Sequence, residues 1–411
     1  MSSDPRVRAL RERWLLELTQ IPTAAGKEQR VIAWITEFVR QRPGLTLETL
    51  ASGNLLLRLS TDTHDASDSH RPLYLSAHMD HPGFVVERIV APTLVEAAFR
   101  GGVRAEYFPG ARVRFFDRSD AAHEGKVLEK APSTEGGFDH WLIELDAPVN
   151  PAAHASHTLA RGDIGRWLFP PGELRDGQIH TDTCDNLAAL AAGLFAMDEL
   201  AASAHTDPAP GADRGRGHAS TPTMRLLLTR AEEIGFIGAI AACRAGSIPR
   251  SARVIVLENS RSFSDSPIGA GPIVRVGDRV SVFSPGLTAA VAACAESLSV
   301  QAKQRGGSWL WQRKLMPGGA CEASVFCTFG FESTCVCLPL GNYHNMGDLD
   351  AVQAGTHARP PTLGREFVSL DDFHNLVDLL VACATRLDQS PSFAQRLETL
   401  WQSHKEVLDE R

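Results

Sequence analysis

The sequence predicts an α/β protein: a mixed, parallel-rich sheet with helices on both faces, interrupted by a small inserted β-barrel-like domain. Strand-like runs such as "PLYLSAH" (72–78), "MRLLLT" (224–229) and "ARVIVLE" (252–258) alternate with helix-like segments. Alternation of that kind marks crossover units in a parallel sheet. Between about 90 and 175 the helical texture gives way to short alternating runs cut by Gly, Pro and Asp. The length of 411 residues, 43% of them hydrophobic, exceeds one ordinary domain and supplies a real core.

Taken in chain order, "KEQRVIAWITEFVR" (27–40) puts Val31, Trp34, Ile35 and Phe38 on one helical face. "PLYLSAH" then reads as a buried strand, closing the first part of the α/β domain, residues 1–89. Runs such as "ARVRFF", "GKVLEK" and "HWLIEL" make 90–175 a β-rich insert. The α/β domain resumes over 176–411 with the apolar helix "NLAALAAGLFAMDELAA" (186–202). Residues 203–222, polar and rich in Gly and Pro, read as a surface loop. Near the end, Ser369 and Asp372 form a helix cap, followed by an apolar face of Phe373, Leu376, Val377 and Leu380.

The formal charge of −8 and the absence of a basic stripe argue against a nucleic-acid partner. Charges interrupt the apolar positions of "MSSDPRVRALRERWLLELTQIP", so no signal peptide is expected, and no run reads as a membrane span. Of the eight cysteines, most sit in apolar settings and none has zinc-ribbon or thioredoxin spacing. They read as small buried hydrophobes in a reducing cytoplasm, with Cys184 and Cys321 set apart because each adjoins a polar motif.

Acids and histidines recur where apolar runs end. "YLSAHMDHPGF" delivers His78, Asp80 and His81; "IHTDTCDNLAAL" delivers His180, Asp182 and Asp185. "LTRAEEIGFIGAI" carries Glu232 and Glu233, "RVIVLENS" carries Glu258, and "LPLGNYHNMGD" carries His344. Singly, a His-x-Asp pair is ordinarily a cap, an acidic doublet a solvated helix start, and a loop histidine merely hydrogen-bonded. Together they place carboxylates and imidazoles along the carboxyl edge of a sheet, where sites form in open α/β folds. Mixed oxygen and nitrogen donors suit zinc, cobalt or manganese better than calcium.

The order of these motifs resembles the dinuclear-metal aminopeptidases of the glutamyl and deblocking type. Their large assemblies are called tetrahedral aminopeptidases, and some relatives carry the label cellulase or endoglucanase. "AHMDHPGFVV", "LARGDIGRWLF", "CDNLAAL", "EEIGFIGA", "GPIVRVGD", "GGACEA" and "YHNMGDLDAV" are each similar to a segment of that family, in the same order. The resemblance implies two divalent ions per chain, held by His78, Asp185, Glu233, Glu258 and His344, with Asp185 bridging. It further implies Glu232 as general base acting through a metal-bridged hydroxide, and Asp80 orienting His78. Glu322 in "GGACEA" would meet the substrate's ammonium. Peptide substrates and a homo-oligomer, from dimer to dodecamer, are implied as well. His81, Leu187, Glu258 and Asn345 depart from the family's usual residues, which bears on substrate preference and turnover.

Two alternatives remain at this stage. One is a related dinuclear amidohydrolase, a deacylase or carboxypeptidase, which needs a cation for a substrate carboxylate. The other is a catalytically silent binding or assembly protein, which has no use for Glu232.

Overall fold

A computed structural model describes residues 4–62, 71–132, 137–149, 158–204, 223–389 and 393–409. The predicted loop at 203–222 therefore lies largely outside the described residues.

Helices α1 (Pro5–Leu18) and α2 (Gln29–Arg40) precede strands β1 (Leu45–Thr49), β2 (Leu55–Leu59) and β3 (Leu73–His78). Six strands then form a closed barrel: β4 (Gly83–Ala91), β5 (Leu94–Arg100), β6 (Arg112–Phe116), β7 (Ala122–Lys130), β8 (Asp139–Leu145) and β9 (Ile164–Trp167). After β10 (Glu173–Arg175) and β11 (Gln178–Thr181) comes α3 (Leu187–Ala204). The rest of the chain alternates β12 (Met224–Thr229), α4 (Ile237–Ala245), β13 (Arg253–Arg261), β14 (Ile273–Gly277), α5 (Pro285–Gln304) and β15 (Gln312–Leu315). It closes with α6 (Glu322–Thr328), β16 (Glu332–Leu340), α7 (Leu349–Ala354), β17 (Glu366–Ser369), α8 (Leu370–Arg386) and α9 (Phe393–His404).

The main sheet has eight strands in the order β1-β2-β12-β3-β13-β16-β14-β15. Its centre is parallel, β12 with β3, β3 with β13 and β13 with β16, while β1, β2 and β14 add antiparallel pairings. This is the mixed, parallel-rich sheet that the alternating runs predict. Helices α3, α5 and α8 cover one face; α4 and α6 cover the other. Central strands buried on both faces explain why their sequences are continuous apolar runs. Helix α3 is long and apolar enough to cross a membrane by composition, yet 72% of that stretch is buried within the protein. A helix that is hydrophobic all round belongs in a core, and this one lies between the sheet, α1 and α8. On α8, Ser369 accepts the Asp372 N–H at 3.3 Å, and Phe373, Leu376, Val377 and Leu380 are buried as their spacing predicts.

The barrel has an aromatic core of Phe84, Phe99, Phe108, Phe115, Trp141 and Trp167, with Phe108 and Trp141 stacked at 4.0 Å between centroids. Gly165 on β9 lets Phe115 lie against the backbone; a Cβ there would sit 2.5 Å from that ring. One ion pair joins the barrel to the segment preceding α3: Arg166 reaches Asp182 at 2.8 Å, with both side chains largely buried.

Candidate metal centre

The carboxyl ends of the central strands converge on a cavity of about 580 Å³. His78, Asp185, Glu232, Glu233, Glu258 and His344 all line it. His78 is the last residue of β3, and the acidic doublet follows β12 by a short turn. Asp185 lies in the connection from β11 to α3, and His344 in the connection from β16 to α7. Glu258 stands inside β13 rather than at its end, because pairing with β16 continues from Glu258–Cys337 to Arg261–Leu340.

Asp185 lies between the two histidines. Its Oδ1 is 3.5 Å from His78 Nε2, and its Oδ2 is 3.5 Å from His344 Nε2. Glu233 Oε1 lies 3.2 Å from His344 Nε2, and Glu258 Oε2 lies 3.6 Å from His78 Nε2. Glu232 is the more distant acid, with Oε2 at 3.9 Å from His78 Nε2. The site thus has two halves, His78 with Glu258 and His344 with Glu233, sharing one carboxylate.

So many buried acids cannot all stay ionised unaided. Burial pushes Glu232 well above the ordinary carboxylate range, and the nearby Glu258 and Glu233 act in the same direction. Burial raises Glu233 and Glu258 too. Against the cost of burial, His344 and His78 hold Asp185 below its usual value. The histidines answer in kind: despite burial, facing carboxylates raise both well above an ordinary imidazole.

Divalent metal ions would relieve this crowding. The donor set fits them: Asp185 Oδ1 and Glu258 Oε1 are buried oxygens with no hydrogen-bond partner. His78, Asp185 and Glu233 bring donor atoms within 4.8 Å of one another, as do His78, Glu232 and Glu258. Carboxylate and imidazole donors without a cysteine suit a catalytic rather than a structural ion.

Asp80 lies beside His78 and also holds the acidic doublet. Its carboxylate accepts the Glu232 N–H at 2.9 Å and the Glu233 N–H at 3.0 Å, holding the turn that presents the doublet. His78 Nδ1 is 3.1 Å from the Asp80 carbonyl oxygen and 3.5 Å from its carboxylate. Two of the departures meet: His81 Nε2 lies 3.1 Å from Asn345 Oδ1, while His81 Nδ1 faces the Asp185 carbonyl oxygen. Burial, with His344 adding, pushes His81 down to about 4.

Glu322 is not brought to the cavity wall. It is fully buried at the start of α6, where Ser76 donates to it at 2.9 Å, and burial raises it to about 7. His180 lies on β11 against Phe367, and Asp182 pairs with Arg166. Sequence reasoning missed Tyr343, which stacks on His344 at 3.8 Å between centroids. It also missed Arg275 as a cavity-lining group, although a charge inside the apolar run "PIVRV" is the signal that could have found it. The Arg275 side chain is buried with sulfur neighbours, its Nε donating to Cys337 Sγ at 3.0 Å and an Nη to Met316.

The M42 glutamyl aminopeptidase family profile matches residues 60–356. The chain belongs to that family. It is therefore a metallopeptidase, a hydrolase whose family implies divalent metal ions. No curated protein sequence matches this metallopeptidase. Its fold is similar to that of an aminopeptidase from the archaeon Desulfurococcus kamchatkensis, at 18% identity and TM-score 0.68 over 92% of this chain and 95% of that one. The TET1 peptidase of Pyrococcus horikoshii, which can assemble into a tetrahedron or a large octahedral shell, matches at 18% identity and TM-score 0.66, over 91% and 99%. A Thermotoga maritima protein titled endoglucanase matches at 18% identity and TM-score 0.60, over 90% and 96%.

Proposed function

We propose that this M42 metallopeptidase removes N-terminal residues from peptides, with Glu232 as general base. The observation that carries the reading is the shared carboxylate: Asp185 turns one oxygen to His78 and the other to His344. His78, Asp185 and Glu258 would hold one ion, and Asp185, Glu233 and His344 the other. Zinc or cobalt suits these donors best, with manganese as a third candidate. When bound, such a pair acidifies water and polarises the scissile carbonyl.

The protein's own groups do the rest. Glu232 takes a proton from the attacking water and returns it to the departing amine. Asp80 fixes the backbone of the doublet, so that Glu232 and Glu233 keep separate directions. The eight free cysteines support a reducing, cytoplasmic setting. Assembly into a homo-oligomer, with the barrel helping to build it and to control access, completes the reading.

A second reading draws on Arg275, a buried guanidinium in the cavity wall. Such a cation suits a substrate carboxylate and hence a deacylase or carboxypeptidase. One assay separates the two. Protein stripped with a chelator and reloaded with zinc, cobalt or manganese is given aminoacyl chromogenic amides and, separately, N-acyl amino acids. The expected outcome is turnover of free-amine amides only, absent from stripped protein and restored on reloading. Turnover of N-acyl substrates alone would establish the second reading instead.

A further inference from the structure

Glu366 has no assigned role, lies beyond the residues matched by the family profile, and is completely buried. Its carboxylate is fully engaged by main-chain donors. Oε2 accepts the N–H groups of Cys184 at 2.7 Å and Asp185 at 2.9 Å, and Oε1 accepts the His344 N–H at 2.8 Å. One side chain therefore ties together the two connections that supply the shared carboxylate and the last histidine.

The strand carrying it stands between those connections. β17 pairs antiparallel with β11, with Glu366 opposite Thr181, four residues before Asp185. On its other side, the Gly341 N–H donates to Phe367 at 3.0 Å, just after β16 and just before His344. His344 also needs holding. It has φ 52° and Asn345 φ 63°, left-handed conformations that non-glycine residues adopt only when their surroundings impose them. The N–H of His344 goes to Glu366, while its Nδ1 lies 2.7 Å from the Gly102 carbonyl oxygen.

We propose that Glu366 is a positioning residue that sets the separation of Asp185 and His344, and with it the affinity for the second of two divalent ions. This rests on the metallopeptidase mechanism proposed above. The chemistry requires an acceptor at both ends of the side chain. A carboxylate has one oxygen for each connection, whereas an amide of the same shape must turn its NH₂ towards one of the N–H donors. An aspartate keeps both acceptors but is a methylene too short to reach both connections.

The test is titration of metal-free wild type, Glu366→Gln and Glu366→Asp with Co²⁺ alone, followed by visible absorption, beside thermal unfolding and steady-state kinetics. Wild type is expected to bind two ions per chain. Both variants should bind the first with little change and the second about 10–100-fold more weakly, the usual loss when a group supporting a ligand is removed. At fixed metal, kcat should fall while KM stays near wild type. If Glu366→Gln does not fold, Glu366→Asp carries the comparison alone. Wild-type Co²⁺ affinity and kcat in a folded variant would overturn the proposal. Wild type binding no Co²⁺ would instead overturn the mechanism on which it rests.

Discussion

Glu232 and Glu233 are chain neighbours with different surroundings, and that difference is what a general base beside a ligand requires. Glu233 faces His344 at 3.2 Å, whereas Glu232 comes no nearer to His78 than 3.9 Å. Glu232→Gln keeps the size of the side chain but removes its capacity for a proton. Turnover should fall by about 10²–10⁴-fold, while metal content measured by atomic absorption stays at the wild-type level. Loss of metal in this variant would mean that the two acids have exchanged roles. Asp185→Ala should be more damaging to binding, because both halves of the site share that carboxylate; Co²⁺ titration is expected to lose both ions. The lining acids and histidines were legible in the sequence because each borders an apolar run, where a charge is costly without a purpose. Glu366 was not legible. Inside "GREFVSL" it reads as one polar residue of a short strand, and its partner Asp185 lies 181 positions away. The pairing of His81 with Asn345 was hidden for the same reason, across 264 positions. Glu322 was visible as an acid near the site, but its direction depends on how α6 packs on β13 and β16, which no local pattern records.

Helix and strand types were legible where a period was strong, as in α2 and α8, and in the apolar runs of α3, β3, β12 and β13. Element ends were less so. "YLSAHMDHPGFVV" reads almost as one apolar stretch, yet it divides into β3 of the main sheet and β4 of the barrel. Helix α8 also carries a titration that its amphipathic pattern does not announce. Burial raises Asp378 from 3.8 to about 6, with Glu199 adding to the effect. Between those values the folded protein holds a proton that the unfolded chain has released, so stability falls as pH rises through that window. Above about pH 6 the whole cost is present; below about pH 4 it is gone. Asp378→Asn should therefore be more stable than wild type at neutral pH, by at most about 3 kcal/mol, with the gain shrinking towards about pH 4.5. Urea unfolding of both proteins across that range measures it, and a gain independent of pH would point to packing instead.

On the scale of the molecule, the sheet and the barrel are joined close to the chemistry. Arg166 of β9 pairs with Asp182, three residues before Asp185, so the barrel is connected to the segment that bears the shared carboxylate. Breaking that pair leaves a buried charge without its partner, a loss of about 3–5 kcal/mol when one member of a buried pair is removed. Arg166→Met should accordingly lower the unfolding temperature, measured by calorimetry, and should weaken Co²⁺ binding as well. An unchanged metal affinity would show that the barrel is only a neighbour. Light scattering at several concentrations checks assembly: an oligomer between dimer and dodecamer is expected, and a strict monomer would remove the assembly reading while leaving the chemistry intact.

The candidate centre takes its first histidine from position 78, its last from 344, and the carboxylate that ties two of its connections from 366. Strand β3 likewise waits for its parallel neighbours β12 and β13, both made long after it. A chain emerging from the ribosome therefore has no complete centre until residue 366 has been made. A message truncated anywhere before residue 344 yields a fragment without the last histidine of the candidate centre.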